Sequence, residues 1–149
     1  KGDEKGPILI YRKKGRTEKE LLKANDIAYP GDLLQVAYNF SGQQYGVILS
    51  IDGRGVVTLH YPETETGSTK LEPRQKVGLK SAYELDDAPD FERFFFVTSQ
   101  KPIDVKRIIE RAEHLAAKKE VTGSAPLNLD TLDKDMKQNS ILIKKGDRK

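Results

Sequence analysis

A mainly β fold, an antiparallel β-sandwich of about eight short strands with one amphipathic α-helix packed on it, is what this 149-residue sequence predicts. Three observations carry the prediction. Apolar and polar residues alternate over runs joined by Gly-containing turns, one long run is aromatic and β-branched, and a single stretch repeats its apolar positions at helical spacing. A partly open β-barrel is the alternative, because closed and stacked sheets share the two-residue period. The length suits one β-rich domain over 1–149 with its own core.

Taken in order, Ile8, Leu9, Ile10 and Tyr11 form a short β-branched run that Lys13, Lys14, Gly15 and Arg16 end, so a strand is expected over 7–14 with a return partner over 18–23. Tyr29, Pro30, Gly31 and Asp32 carry turn chemistry, since proline fixes φ and glycine permits positive φ. After that turn, Leu34, Val36, Tyr38 and Phe40 share one face of a strand. The strongest local signal is a hairpin: Tyr45, Val47, Leu49 and Ile51 alternate, Asp52 to Gly55 turn, and Val57, Leu59 and Tyr61 alternate back. Leu71 to Val77 and Ala82 to Leu85 read as shorter strands. Phe91 to Ser99 suits a central strand buried on both faces. Beyond Pro102, a helix over about 103–119 puts Val105, Ile108, Ile109, Ala112, Leu115 and Ala116 on one stripe. A short helical turn is one reading of 127–138, and a last strand is expected over 140–145. The strands thus fall mainly within 7–100.

Composition removes much chemistry. There is no cysteine, which excludes disulfides, thiolate nucleophiles and cysteine metal sites, and the two histidines leave little for a histidine-rich metal centre. No cofactor is expected. The 26 basic and 23 acidic residues leave a net charge of +3, too little for general phosphate neutralisation, so no nucleic-acid partner is expected. Net charges of +4, −2, −3 and +4 over 1–23, 24–62, 63–100 and 101–149 place basic ends around an acidic centre, a pattern that protects edge strands from aggregation. No apolar run approaches the length that spans a bilayer. Residue 1 is Lys1 and the one methionine is Met136, so a signal peptide, membrane anchor or further domain is expected upstream.

Among polar residues, Glu84, Asp86, Asp87, Asp90 and Glu92 form the densest acidic cluster. Asp86, Asp87 and Asp90 are the candidate calcium ligands, although Pro89 and the absence of EF-hand spacing argue for a solvated connection instead. His60, Tyr61 and Arg93 are the candidate ligand-binding residues. His60 lies by parity opposite Val57, Leu59 and Tyr61, on a face expected to be wet or lightly covered, with no orienting carboxylate nearby in sequence. His114, four residues after Glu110, reads as a helix-surface group. No Gly-x-Ser-x-Gly elbow is present, and Gly53 to Gly55 are too few for a phosphate loop. No catalytic residue is assigned, and the chain is expected not to be an enzyme.

In the segments Gly31 to Val36, Tyr45 to Pro62 and Phe91 to Ser99, the chain resembles a bacterial domain of unknown function, over roughly residues 30–100. Such domains form the extracytoplasmic C-terminal module of single-span membrane regulators, some similar to anti-sigma factors and some to serine/threonine kinases. The resemblance implies a periplasmic or extracytoplasmic sensory or interaction module with a protein, peptide or envelope partner, touching the membrane only through its anchor. It assigns no functional residues. A cytoplasmic location is the alternative, and the rival functions are a carbohydrate-active or other hydrolase on a sandwich scaffold and a calcium-binding adhesion-type module.

Overall fold

Nine consecutive residues, Phe91 to Ser99, are all buried, and the fold is organised around the strand they form. The structure, a computed structural model, describes residues 4–129 and 134–147. Its elements are β1 (Ile8–Lys13), β2 (Lys19–Leu22), β3 (Ile27–Ala28), β4 (Leu33–Tyr38), β5 (Tyr45–Asp52), β6 (Val57–Tyr61), β7 (Val77–Gly78), β8 (Tyr83–Glu84), β9 (Phe91–Ser99), α1 (Val105–Ala117) and β10 (Lys137–Lys145).

Two sheets stack as a sandwich rather than closing into a barrel. One has the order β2-β1-β4-β7, with β8 pairing the same free edge of β4 further along. The other has the order β3-β10-β9-β5-β6 and is antiparallel except where β3 runs parallel to β10. Strand parity then decides the layers. Ile48, Phe94, Phe96 and Ile143 face Ile10, Leu34, Val36 and Tyr38 of the opposite sheet. The intervening residues, Val47, Leu49, Ile51, Phe95 and Val97, point outward and are covered by Val105, Ile108, Ala112 and Leu115 of α1. The aromatic run is thus central and covered on both faces, as its composition requires.

Local chemistry explains most boundaries. Gly31 takes φ +91° in the turn before β4, and the Asp32 side chain accepts the Tyr29 N–H there. In the β5–β6 hairpin Asp52 Oδ1 accepts the N–H groups of Arg54 and Val56, and Gly55 takes φ +83°. The expected strand over Leu71–Val77 contracts to β7 because Pro73 and a tight Glu72–Arg74 turn interrupt it, although Leu71 is buried. Likewise only Tyr83 and Glu84 of the 82–85 stretch pair. The last strand starts earlier than expected, at Lys137. For the short helical turn expected over 127–138, residues 130–133 lie outside the described residues; before them, Leu127 and Leu129 are core residues outside any helix or strand. Gln138 clamps the Leu127 backbone through both its N–H and its C=O.

The hairpin tip is packed against the loop before β9. A Cβ at Gly53 would lie 1.7 Å from the Pro89 carbonyl oxygen, so only glycine fits without moving backbone. Gly53→Ala is expected to lower stability by at least about 2 kcal/mol in chemical denaturation, whereas Gly123→Ala, with open space around it, stays within about 0.5 kcal/mol.

Candidate functional site

The strand orders leave β6 at the edge of one sheet and β7 and β8 at the edge of the other, on the same side of the sandwich. Between these edges opens a groove of about 710 Å³. Its walls include Val36, Leu59, Val77 and Leu79 and the rings of His60, Tyr61 and Tyr83. This volume falls within the range of small-ligand sites.

A β-bulge shapes the β6 wall. Leu49 pairs Leu59 and Ile48 pairs Tyr61, so His60 is the extra residue. Thr58 and His60 face the space between the sheets by normal alternation, and the bulge turns Tyr61 to that side as well. His60 lies opposite Val57 and Leu59 as its parity predicts, on a face that the second sheet covers, and the bulge brings Tyr61 to that face instead of the opposite one. The His60 ring packs edge-on to Tyr83 at 4.5 Å and against Phe94 at 5.4 Å.

Behind this wall lies a buried polar network that sequence spacing does not reveal. Glu92 is fully enclosed on β9. Its Oε2 accepts hydrogen bonds from Ser50 Oγ at 2.7 Å and Tyr83 OH at 2.9 Å. Its Oε1 faces Lys145 Nζ at 3.3 Å as an ion pair, with no aligned hydrogen bond of its own. Lys145 Nζ, itself buried, also donates to Asp86 Oδ1 at 3.0 Å. Burial pushes the Glu92 carboxyl above its ordinary value, while the Ser50 hydroxyl and the Lys145 ammonium pull the other way. Burial followed by the Glu92 charge raises the Tyr83 hydroxyl. The Ser50 hydroxyl also meets His60 Nε2 at 2.8 Å. Burial depresses His60 from 6.5 to about 4, so its ring is neutral at neutral pH.

Chemically this is not a nucleophile–base pair. In a triad the histidine takes the serine proton, with a carboxylate behind the histidine. Here the carboxylate takes the serine proton itself, and Ser50 is fully buried.

The remaining candidates disperse. Arg93 is not brought to the groove. Its parity turns it to the helix side, where it donates to the Val121 carbonyl at 2.8 Å and to Ser140 Oγ and stacks over Phe95 at 4.4 Å. The candidate calcium ligands go to different cations of the protein, Asp86 to Lys145 and the exposed Asp87 to Arg54, whose guanidinium holds the Asp87 carboxyl below its usual range. Asp90 contributes its backbone carbonyl, which accepts the Lys145 N–H. Among the described residues, the acids that converge are instead Asp52, Asp86 and Glu92. The Lys145 ammonium already sits against two of them, and Asp52 serves its turn. His114 is exposed in the last turn of α1.

The His60 shift has a sign. A base whose folded value lies below its unfolded value contributes stability that is complete above pH 6.5 and is lost as pH falls through 4. The loss is at most on the order of 3 kcal/mol. Subtracting the pH–stability curve of His60→Gln from that of the parent should show this drop between pH 6.5 and 4; a flat difference would contradict the buried neutral ring. No protein-family model, curated protein or solved structure matches the chain.

Proposed function

We propose that the chain is a non-enzymatic binding module, the extracytoplasmic part of a membrane-anchored bacterial regulator, that holds a peptide or envelope ligand by its apolar part in the groove beside β6. The observation that supports this reading is how the polar groups around the groove are spent. Tyr83 OH donates to Glu92, Tyr61 OH donates to the Lys70 carbonyl, and Tyr38 OH accepts the Glu72 N–H at 2.8 Å. Around these rings the groove meets a ligand with ring faces and aliphatic side chains, which favour burial of apolar surface at roughly 25 cal/mol per Å², while Glu63, Thr64, Lys80 and Ser81 give it a polar part. A hydrolytic reading needs an accessible nucleophile, and the serine beside His60 is enclosed with its proton committed. The envelope location rests on the resemblance of residues 30–100.

The probe for this reading is 8-anilinonaphthalene-1-sulfonate, which fluoresces in apolar clefts. It is expected to bind at one site, with amide NMR shifts confined to Thr58–Tyr61 and Val77–Tyr83. Ala82→Trp, at an exposed position on the groove wall, should weaken that binding at least tenfold with little change in melting temperature. Shifts spread over other surfaces, or p-nitrophenyl acetate turnover lost in Ser50→Ala, would overturn the proposal.

A further inference from the structure

The Ser50 hydroxyl, placed between Glu92 and His60, decides which nitrogen of His60 carries a proton. A serine has one proton to donate. Glu92 Oε2 takes it, and it accepts the Tyr83 hydroxyl as well. Ser50 Oγ can then only accept from His60 Nε2, 2.8 Å away, so the ring carries its proton on Nε2. Since the ring is neutral, Nδ1 is a bare acceptor. Nδ1 makes no hydrogen bond to another described residue, yet among the described residues Glu92 Oε1 is the enclosed side-chain atom without a hydrogen bond. Nδ1 is therefore not fully enclosed, on a ring that lines the groove.

Two features beside it narrow the ligand. The outer edge of β6 has no partner strand among the described residues, so it turns unpaired backbone N–H and C=O groups to the side on which the groove opens. The wall around His60 is built of rings, which favour an aromatic guest in edge-to-face or offset geometry.

Resting on the reading of the groove as a binding site, we infer that its occupant is an extended peptide laid along the β6 edge, whose tryptophan or tyrosine side chain enters the groove and donates its ring N–H or O–H to His60 Nδ1. The backbone edge supplies affinity, and the single acceptor selects aromatic side chains that carry a donor over those that do not. Phenylalanine in the same place would leave Nδ1 without a partner and gain nothing in exchange. The role of Ser50, Glu92 and Tyr83 in this selection is positional: they hold the tautomer that makes the acceptor.

The test titrates the whole chain with acetylated, amidated pentapeptides Ala-Ala-Xaa-Ala-Ala, where Xaa is tryptophan, 1-methyltryptophan or phenylalanine, and with free indole. The tryptophan peptide is expected to bind at least tenfold more tightly than either analogue and than indole. His60→Phe, which keeps a ring in place, should bind the tryptophan and 1-methyltryptophan peptides alike. A tautomer readout independent of any variant comes from the nitrogen-15 shifts of His60, which should show a protonated Nε2 and a bare Nδ1. Equal affinity for the three peptides, or a protonated Nδ1, overturns this inference while leaving a general binding groove standing. Tighter binding of free indole than of the peptide overturns the peptide occupant. If nothing binds, including the anilinonaphthalene probe, the reading of the groove itself falls.

Discussion

A carboxylate held at zero exposure on the central strand must be answered by hydrogen bonds and countercharge, because an unpaired charge in a low-dielectric interior costs several kcal/mol. Glu92 draws its answers from three strands: Ser50 comes from β5, Tyr83 from β8 in the opposite sheet and Lys145 from the end of β10, whose ammonium Asp86 shares from the preceding loop. The network therefore joins the two sheets at the end of the sandwich where the chain enters β9 and leaves β10. Apolar packing alone supplies most of the driving force, but it tolerates repacking; a satisfied polar network has far fewer solutions.

The same constraint reaches the groove. Ser50 can serve Glu92 only by giving up its proton, which leaves His60 to donate from Nε2. The Tyr83 hydroxyl is spent in the same way, so its ring rather than its hydroxyl is offered to the groove. The bulge in β6 completes the arrangement by putting His60 and Tyr61 on one side of the strand. The packing of this region and the polarity of the groove wall thus both depend on one buried carboxyl group.

The two-layer β fold and the helix were legible because each rests on a periodicity. The alternation of β4 and β5, the aromatic run of β9 and the stripe of α1 each place the named residues in the core. The short strands were less legible, since β3, β7 and β8 have two residues each and are defined by partners rather than by pattern. The groove was legible only as two of its residues, His60 and Tyr61. Parity placed His60 on the side away from Leu59, but no local signal says that a second sheet covers that side, and a bulge of one residue is invisible in alternation. Glu92 was read as the last member of the acidic cluster that begins at Glu84, and its place inside the apolar run of β9 is what separates it from the others. Its partners Ser50 and Lys145 are 42 and 53 positions away, and nothing in their neighbourhoods marks them. The partners of Arg93 were equally hidden, since the Val121 carbonyl and Ser140 lie 28 and 47 positions away.

The most direct test of this account is a double-mutant cycle on stability with Glu92→Leu, Lys145→Met and the pair together, measured by urea denaturation. Lys145→Met strands the Glu92 charge and is expected to lose about 3 to 5 kcal/mol; Glu92→Leu leaves Lys145 paired with Asp86 and loses less, through the Ser50 and Tyr83 hydroxyls, and the double variant recovers most of the Lys145→Met loss. A Lys145→Met loss below about 1 kcal/mol, or losses that simply add in the double variant, would contradict the claim that the fold and its groove depend on answering the Glu92 charge.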